Sequence, residues 1–350
     1  MVRRLLQAFA LAALGFALVA AVAGATAREP ALRLPAGFLD PAPQLEGRAW
    51  TYDAALWATA HAVDGQHDAA RALLDDLAAA QHADGAIDNS FDVASGEGAG
   101  PVRSGVVAWL GIAAAQYRTS TCSHRYDALM QSVAGWLLAQ RAGALVRGGP
   151  DVSWISTEHN LDARAFLAQL ADLAGGRTAC PGGLDGRPAD TLVAELDAAV
   201  AGMDAAIDAQ LFAGDHFRQG AGDAARPIDV QAFGALWLLG QGRDTEAAAV
   251  VAYADRHHAL GNGYRPYAED WTPAVVWTEG TLQMRLAKSA IGADTSAIDA
   301  AVAALPSGPG YLAHADRAAS HQIGDYHLWL ASAPAAWQRL ASNGFTLLGH

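Results

Sequence analysis

Ser156-Thr157-Glu158-His159-Asn160-Leu161-Asp162-Ala163-Arg164-Ala165-Phe166-Leu167-Ala168 reads as a helix that starts polar and turns apolar within two turns. Ser156 or Thr157 can cap it through a side-chain oxygen. A helix start needs only one such residue, yet Glu158, His159, Asn160 and Asp162 crowd in behind the cap. The stretch that follows is apolar nearly all round, the pattern of a helix buried on every side. Openings of the same kind recur along the chain. They are Tyr52-Asp53-Ala54-Ala55-Leu56-Trp57, Ser104-Gly105-Val106-Val107-Ala108-Trp109, Asp229-Val230-Gln231-Ala232-Phe233, Trp277-Thr278-Glu279-Gly280-Thr281 and Asp325-Tyr326-His327-Leu328-Trp329. Their starts lie near 53, 104, 156, 229, 277 and 325, in steps of about 50 residues with one of about 73, which marks a structural repeat.

Between the openings lie helices of a second kind, over roughly 66–81, 124–141, 187–210, 243–259 and 294–304. In the first of them Ala69, Ala70, Leu73, Leu74, Leu77 and Ala78 share one face, while Arg71, Asp75 and Asp76 take the other. Several end in glycine turns such as Gly148-Gly149 and Gly261-Asn262-Gly263. Strand patterns are nearly absent. Buried helices alternating with half-exposed ones predict two concentric rings, an all-α (α/α)6 barrel. Residues 40–50 or the far C-terminus would supply the sixth outer helix. An open α-solenoid is the competing layout, but its repeats are shorter and its buried helices need no polar openings.

In a closed ring the inner helices run the same way, so their starts gather at one mouth, with free backbone N–H groups and partial positive charge. Glu158 and Asp162 stand four apart and share a face, as do Glu279 and Gln283. His159 and Asn160 are candidates to hold a neighbouring carboxylate or a ligand hydroxyl. Asp53 opens the first inner helix beside Trp50, Tyr52 and Trp57; Asp229 and Gln231 open the fourth. The loop after the first outer helix adds Asp88 and Asp92. Trp271 and Trp277 bracket the fifth opening, and an indole face suits the apolar C–H face of a pyranose; Trp57 and Trp154 are further binding candidates beside the first and third openings. Each carboxylate also has a plain structural reading, as a cap or a dipole partner. His257 and His258 read as surface residues or dipole partners at the end of an outer helix.

The 350 residues carry 36 acidic and 23 basic side chains, a net charge of -13. That balance argues against a nucleic-acid partner, which calls for clustered cations. Residues 1–27 read as a secretory signal: Arg3 and Arg4, an uncharged run from Leu5 to Gly24, then Ala25-Thr26-Ala27. The run is also long enough to stay as an N-terminal membrane anchor. Either way residues 28–350 form the barrel domain, outside the cytoplasm. Cys122 and Cys180 either bridge in an oxidising compartment or stand as free thiols. No phosphate loop, metalloprotease helix or nucleophile elbow is present, and no metal or cofactor is implied.

The repeat, with Thr157-Glu158-His159-Asn160-Leu161-Asp162 and Trp277-Thr278-Glu279-Gly280-Thr281-Leu282-Gln283-Met284, resembles the six-hairpin glycosidase superfamily, in an uncharacterised bacterial branch. The resemblance spans nearly all of residues 28–350. It implies the fold, a carbohydrate substrate and a site at the mouth, and since most such hydrolases invert with two carboxyl groups, an inverting glycoside hydrolase is the expected reaction. Glu158 would then be the acid and Glu279 the base, with Asp53 the rival for either role. Two alternatives share the ring. One is a polysaccharide lyase or sugar epimerase, drawing on His159, Asn160, Arg103 and Tyr264. The other is a non-catalytic saccharide-binding protein of a surface-polysaccharide system.

Overall fold

The computed structural model describes residues 32–39, 41, 45–180, 183–184, 189–321 and 324–347. The signal or anchor read over residues 1–27 lies outside them. Six inner helices form the first ring: α1 (Thr51–Val63), α3 (Ser104–Thr121), α5 (Thr157–Ala174), α7 (Ile228–Gly240), α9 (Thr278–Ala290) and α11 (Ser332–Ser342). Each packs on the next, and α11 packs back on α1, so the ring is closed. Outside it lie α2 (His67–Ala80), α4 (Asp127–Ala139), α6 (Ala189–Gln210), α8 (Asp244–His257) and α10 (Ser296–Ala303), against α1, α3, α5, α7 and α9 respectively. This is the (α/α)6 barrel that the alternation of buried and amphipathic helices implies. Among the described residues no sixth outer helix is present.

The sixth inner helix starts later than the sequence pattern suggests. Asp325 and Tyr326 belong to a short hairpin, Ala319–His321 with Gly324–Tyr326, and α11 opens at Ser332. His258 departs from its reading too: it is fully buried, facing the Arg265 carbonyl at 3.3 Å.

One hydrogen bond recurs six times and explains how the starts are held. The backbone N–H of the first residue of each inner helix donates to a carbonyl in a loop beside it. The pairs are Thr51 to Asn89, Ser104 to Gly148, Thr157 to Gln219, Ile228 to Pro266, Thr278 to His314 and Ser332 to Gly37, all at 2.8–3.1 Å. In five cases the loop follows the next outer helix. In the sixth it is the N-terminal stretch at Gly37, and Phe38–Leu39 pairs with Leu330–Ala331 to close the ring. Gly37 can be nothing larger, because a Cβ there would sit 2.2 Å from the Trp50 ring. Hydroxyls reinforce three of these joints: Thr51 Oγ1 to the Asp88 carbonyl, Ser104 Oγ to Arg147 and Thr157 Oγ1 to Arg218. At the far end, Cys122 ends α3 in a left-handed conformation and is disulfide-bonded to Cys180 in the loop after α5.

Candidate active site

The six-fold register decides what faces the axis. The second residues of the inner helices are Tyr52, Gly105, Glu158, Asp229, Glu279 and Ala333, and all six line one cavity of about 470 Å³ at the mouth of the ring. One turn deeper, the sixth residues Trp109, Asp162 and Gln283 reach the same cavity and form its floor. Asp53, His159, Trp277, Asn89 and His314 complete its walls. Gly105 leaves room for His159, since a Cβ there would lie 2.6 Å from the imidazole Cδ2.

Five carboxyl groups therefore share one cavity, and burial raises the pKa of each. Burial pushes Glu279 up to about 7 and Asp229 up to about 6. Glu158 lies well above the ordinary range, through burial first and then the charges of Asp229, Asp162 and Glu279. Asp53 and Asp162 are raised in the same way, by burial and then by Glu279 and Asp229 respectively. Groups this close titrate as a set. At neutral pH the set keeps protons that isolated carboxyls would have lost. His159 and His314 move the other way, each down to about 4 by burial, and so remain neutral.

Glu279 is the best braced of the five. Tyr52 donates to its Oε1 at 2.7 Å, and Trp337 Nε1 donates in turn to the Tyr52 oxygen at 3.0 Å. Gln283 Nε2 adds a longer contact of 3.4 Å. Below, the edges of Tyr52 and Trp337 meet the Trp109 ring at 5.6 and 5.5 Å, making an aromatic base under the carboxyls. Trp109 leans on Asp162 and draws that pKa partly back down.

A second cavity of about 430 Å³ opens beside the first, and Glu158, His159 and Asp229 line both. Its other walls include Trp154 and Tyr267. Trp154 is 45% exposed, rests on His159 with ring centres 5.3 Å apart, and carries the Arg103 guanidinium over its face. The site is thus a two-lobed cleft with Glu158 and Asp229 at the junction. Glu279, Asp53, Asp162 and the aromatic base belong to the deep lobe alone.

Of the residues singled out in the sequence, the cleft gathers Asp53, Glu158, His159, Asp162, Asp229, Trp277, Glu279, Gln283 and Trp154. Others are elsewhere, among them Asp88, whose Oδ2 lies 3.2 Å from His82 Nε2. Asn160 is fully buried on the outward side of α5, where it accepts from the Val146 N–H and donates to the carbonyls of Val146 and Ser156. Gln231 does the same on α7, with the Phe217 N–H and the carbonyls of Phe217 and Pro227. Each sits two residues past the axis-facing position, about 200° further round the helix. Trp57 faces outward and donates to Ser332 Oγ. Asp92 closes a turn by accepting from Ser95 N and Oγ. Tyr52 and Trp109 were visible as neighbours of the candidate residues, but only the register puts them in the cavity. His314 had no signal, since an inter-helix loop delivers it.

A closed ring of hairpins with its cavity at the inner-helix starts defines an (α/α)6 toroid, and solved structures of that type share the fold. A glycosidase variant in complex with glucose superposes with a TM-score of 0.66 at 15% identity, covering 90% of this chain and 91% of that one. A sugar epimerase from a ruminal bacterium gives 0.63 at 10% identity, over 88% and 92%. A GH76 α-mannanase of Bacteroides thetaiotaomicron gives 0.58 at 9%, over 84% and 85%. No protein-family model and no curated protein matches the sequence.

Proposed function

We propose that the protein is an exported glycoside hydrolase whose cleft holds a sugar in the deep lobe and its leaving group in the second lobe. The observation that carries this reading is the placement of the carboxyls relative to the two lobes. A glycosidic bond spanning the junction lies against Glu158, while Glu279 faces only the sugar side. Glu158, surrounded by charges that all raise its pKa, stays protonated and gives its proton to the leaving oxygen as the C–O bond breaks. Glu279, held near 7 by the Tyr52 hydrogen bond against burial, takes a proton from the water whose oxygen bonds to the anomeric carbon. Separate acid and base carboxyls on opposite sides of the sugar invert the anomeric configuration. Trp154 and Tyr267 offer aromatic faces to the leaving sugar. Glycosidases among the structures of the same fold support the substrate class. The residue order at 1–27 and the Cys122–Cys180 bridge support export.

The test is release of reducing sugar from a panel of oligosaccharides, with the product anomer read by proton NMR. Glu158→Gln and Glu279→Gln should each abolish release with an unchanged circular dichroism spectrum. Full activity in either variant would sink the scheme.

One observation favours a second reading. Two neutral imidazoles, His159 and His314, line the deep lobe, and a proton-shuttling epimerase needs two such groups. Asn160 is committed to the backbone, Arg103 to Asp151 and Tyr264 to Asp255, so they take no part in it. Deuterium from solvent appearing at a sugar carbon, without bond cleavage, would decide for this reading.

A further inference from the structure

We infer that the deep lobe takes a sugar bearing a positive charge, a hexosamine unit with its amine free, and turns away uronates and phosphate. The inference rests on the hydrolase reading and extends it to the charge of the substrate. Inverting hydrolysis employs two carboxyls, Glu158 and Glu279. Asp53, Asp162 and Asp229 remain, and all three face the same cavity. Among the described residues no lysine or arginine lines either lobe. The cation that acts on the site, Arg103, is held by Asp151 at 2.6 Å and stacked on Trp154. The two imidazoles are neutral. The protein thus places no cationic side chain against these carboxyls, which hold protons in its stead, and a ligand ammonium can take the place of those protons.

The floor points the same way independently. Asp162 and Gln283 are each 1% exposed, and both Asp162 Oδ1 and Gln283 Oε1 lack a hydrogen-bond partner. Gln283 turns its N–H toward Glu279, which leaves the carbonyl as the free end. These two are acceptors, so a group that reaches them must donate, while the unpartnered Trp109 Nε1 on the same floor leans toward Asp162 and can meet a ligand oxygen. A hydroxyl donates one hydrogen. An ammonium donates three and carries the charge that strengthens each bond to a carboxylate. A metal ion is a poorer complement: no three carboxyl or imidazole groups among the described residues converge as metal ligands. A uronate or phosphate would add a negative charge to five carboxyls without a cation to receive it.

The test is a matched set of disaccharides of glucosamine, N-acetylglucosamine, glucose and glucuronate, in several linkages, offered to the unaltered protein. Binding is read by calorimetry and cleavage by reducing-sugar release. The glucosamine series should show a kcat/KM at least about tenfold above the glucose series, the gain expected from one added charge-assisted bond. N-acetylation, which removes the charge, should abolish that advantage, and the glucuronate series should not be cleaved. Asp162→Asn should narrow the glucosamine-to-glucose ratio toward one; if that variant fails to fold, the unaltered protein's preference still decides. Neutral sugars cleaved as well as amino sugars would overturn the charge inference and leave the hydrolase reading standing. No binding or cleavage of any series would overturn both.

Discussion

On α5, Glu158 and Asn160 are two residues apart and face opposite ways. Glu158 points to the axis, into a cavity with four other carboxyls and no lysine or arginine among the described residues. Asn160 points outward, and every polar atom of its side chain has a backbone partner. The contrast repeats along the ring. Asp229 and Gln231 divide in the same way on α7, and Glu279 and Thr281 on α9, where Thr281 Oγ1 accepts from Tyr264 N and donates to the Trp277 carbonyl. On one face burial is left uncompensated, which costs stability and raises pKa values. On the other face burial is fully compensated and fixes the loops that shape the mouth. Residues of similar polarity, a turn or less apart, thus divide between the cavity, where the proposed chemistry lies, and the architecture. The difference between them is angular.

Substitution should separate the faces by the sign of its effects. The largest effect belongs to the axis. Glu158→Gln removes the proposed proton donor but keeps the shape, so kcat should fall about a thousand- to ten-thousand-fold, with little change in Tm. Steady-state kinetics beside a thermal melt checks both halves. A leaving group that needs no protonation, such as a nitrophenolate, should recover much of the lost rate in Glu158→Gln and none of it in Glu279→Gln.

The outward face should give the opposite result. Asn160→Ala leaves the N–H and carbonyl of Val146 without partners in a fully buried place, while the Ser156 carbonyl keeps the backbone N–H of residue 160; the cost is about 2 kcal/mol. Gln231→Ala should cost a similar amount on the same grounds. Denaturant unfolding measures the loss. Any activity lost in these variants should return at lower temperature, because no group touching the substrate has changed. A variant as stable as the parent but dead would place Asn160 in the chemistry after all.

The same division governs how much the sequence disclosed. The ring was legible because burial on all sides, repeated every 50 residues or so, leaves an unmistakable hydrophobic pattern. Five of the six inner helices open within a few residues of where the pattern puts them. The sixth was displaced because Asp325-Tyr326 imitates a polar opening, while the true one, Ser332-Ala333-Pro334, carries nothing polar at its axis-facing position. Its readable signal is Pro334, tolerated in a first turn where no N–H is needed. Asn160 and Gln231 were assigned to the cavity because composition reports that a helix start is polar without saying which way each residue points. Aligning the six starts on their first residue supplies that phase and selects Tyr52 over Trp57. What no alignment of starts supplies is His314, since its place depends on a loop path rather than a helical angle.

Stability against pH offers a finer contrast. Glu279 has a folded pKa of about 7 against an ordinary value of 4.5. Below 4.5 both states hold the proton. Between about 4.5 and 7 the unfolded chain loses it first, so stability falls as pH rises through that window and levels off above it. For Glu279 alone the fall amounts to about 3 kcal/mol. Glu158 and Asp162 are shifted in the same direction. Glu279→Gln carries no proton to lose, so its melting temperature should decline less than the parent's between pH 4.5 and 7.5. Asn160→Ala should run parallel to the parent over that range, offset downward.

The smallest expected effect tests how the two faces are joined through Tyr52. Its hydroxyl donates to Glu279 at 2.7 Å, accepts from Trp337 at 3.0 Å, and its ring stands edge-on to Trp109. Tyr52→Phe keeps the ring and deletes only the hydrogen bond. That bond favours the ionised form of Glu279, so its loss should push the carboxyl further above 7. A base that must be deprotonated then becomes active only at higher pH. The acidic limb of the kcat/KM profile should move up by less than about one pH unit, the share of one hydrogen bond in the balance. The basic limb, assigned to Glu158 in the proposed mechanism, should move less, because Tyr52 makes no hydrogen bond to that residue and reaches it only through the charge of Glu279. If the basic limb moved more than the acidic one, the acid and base assignments of the two glutamates would have to be exchanged.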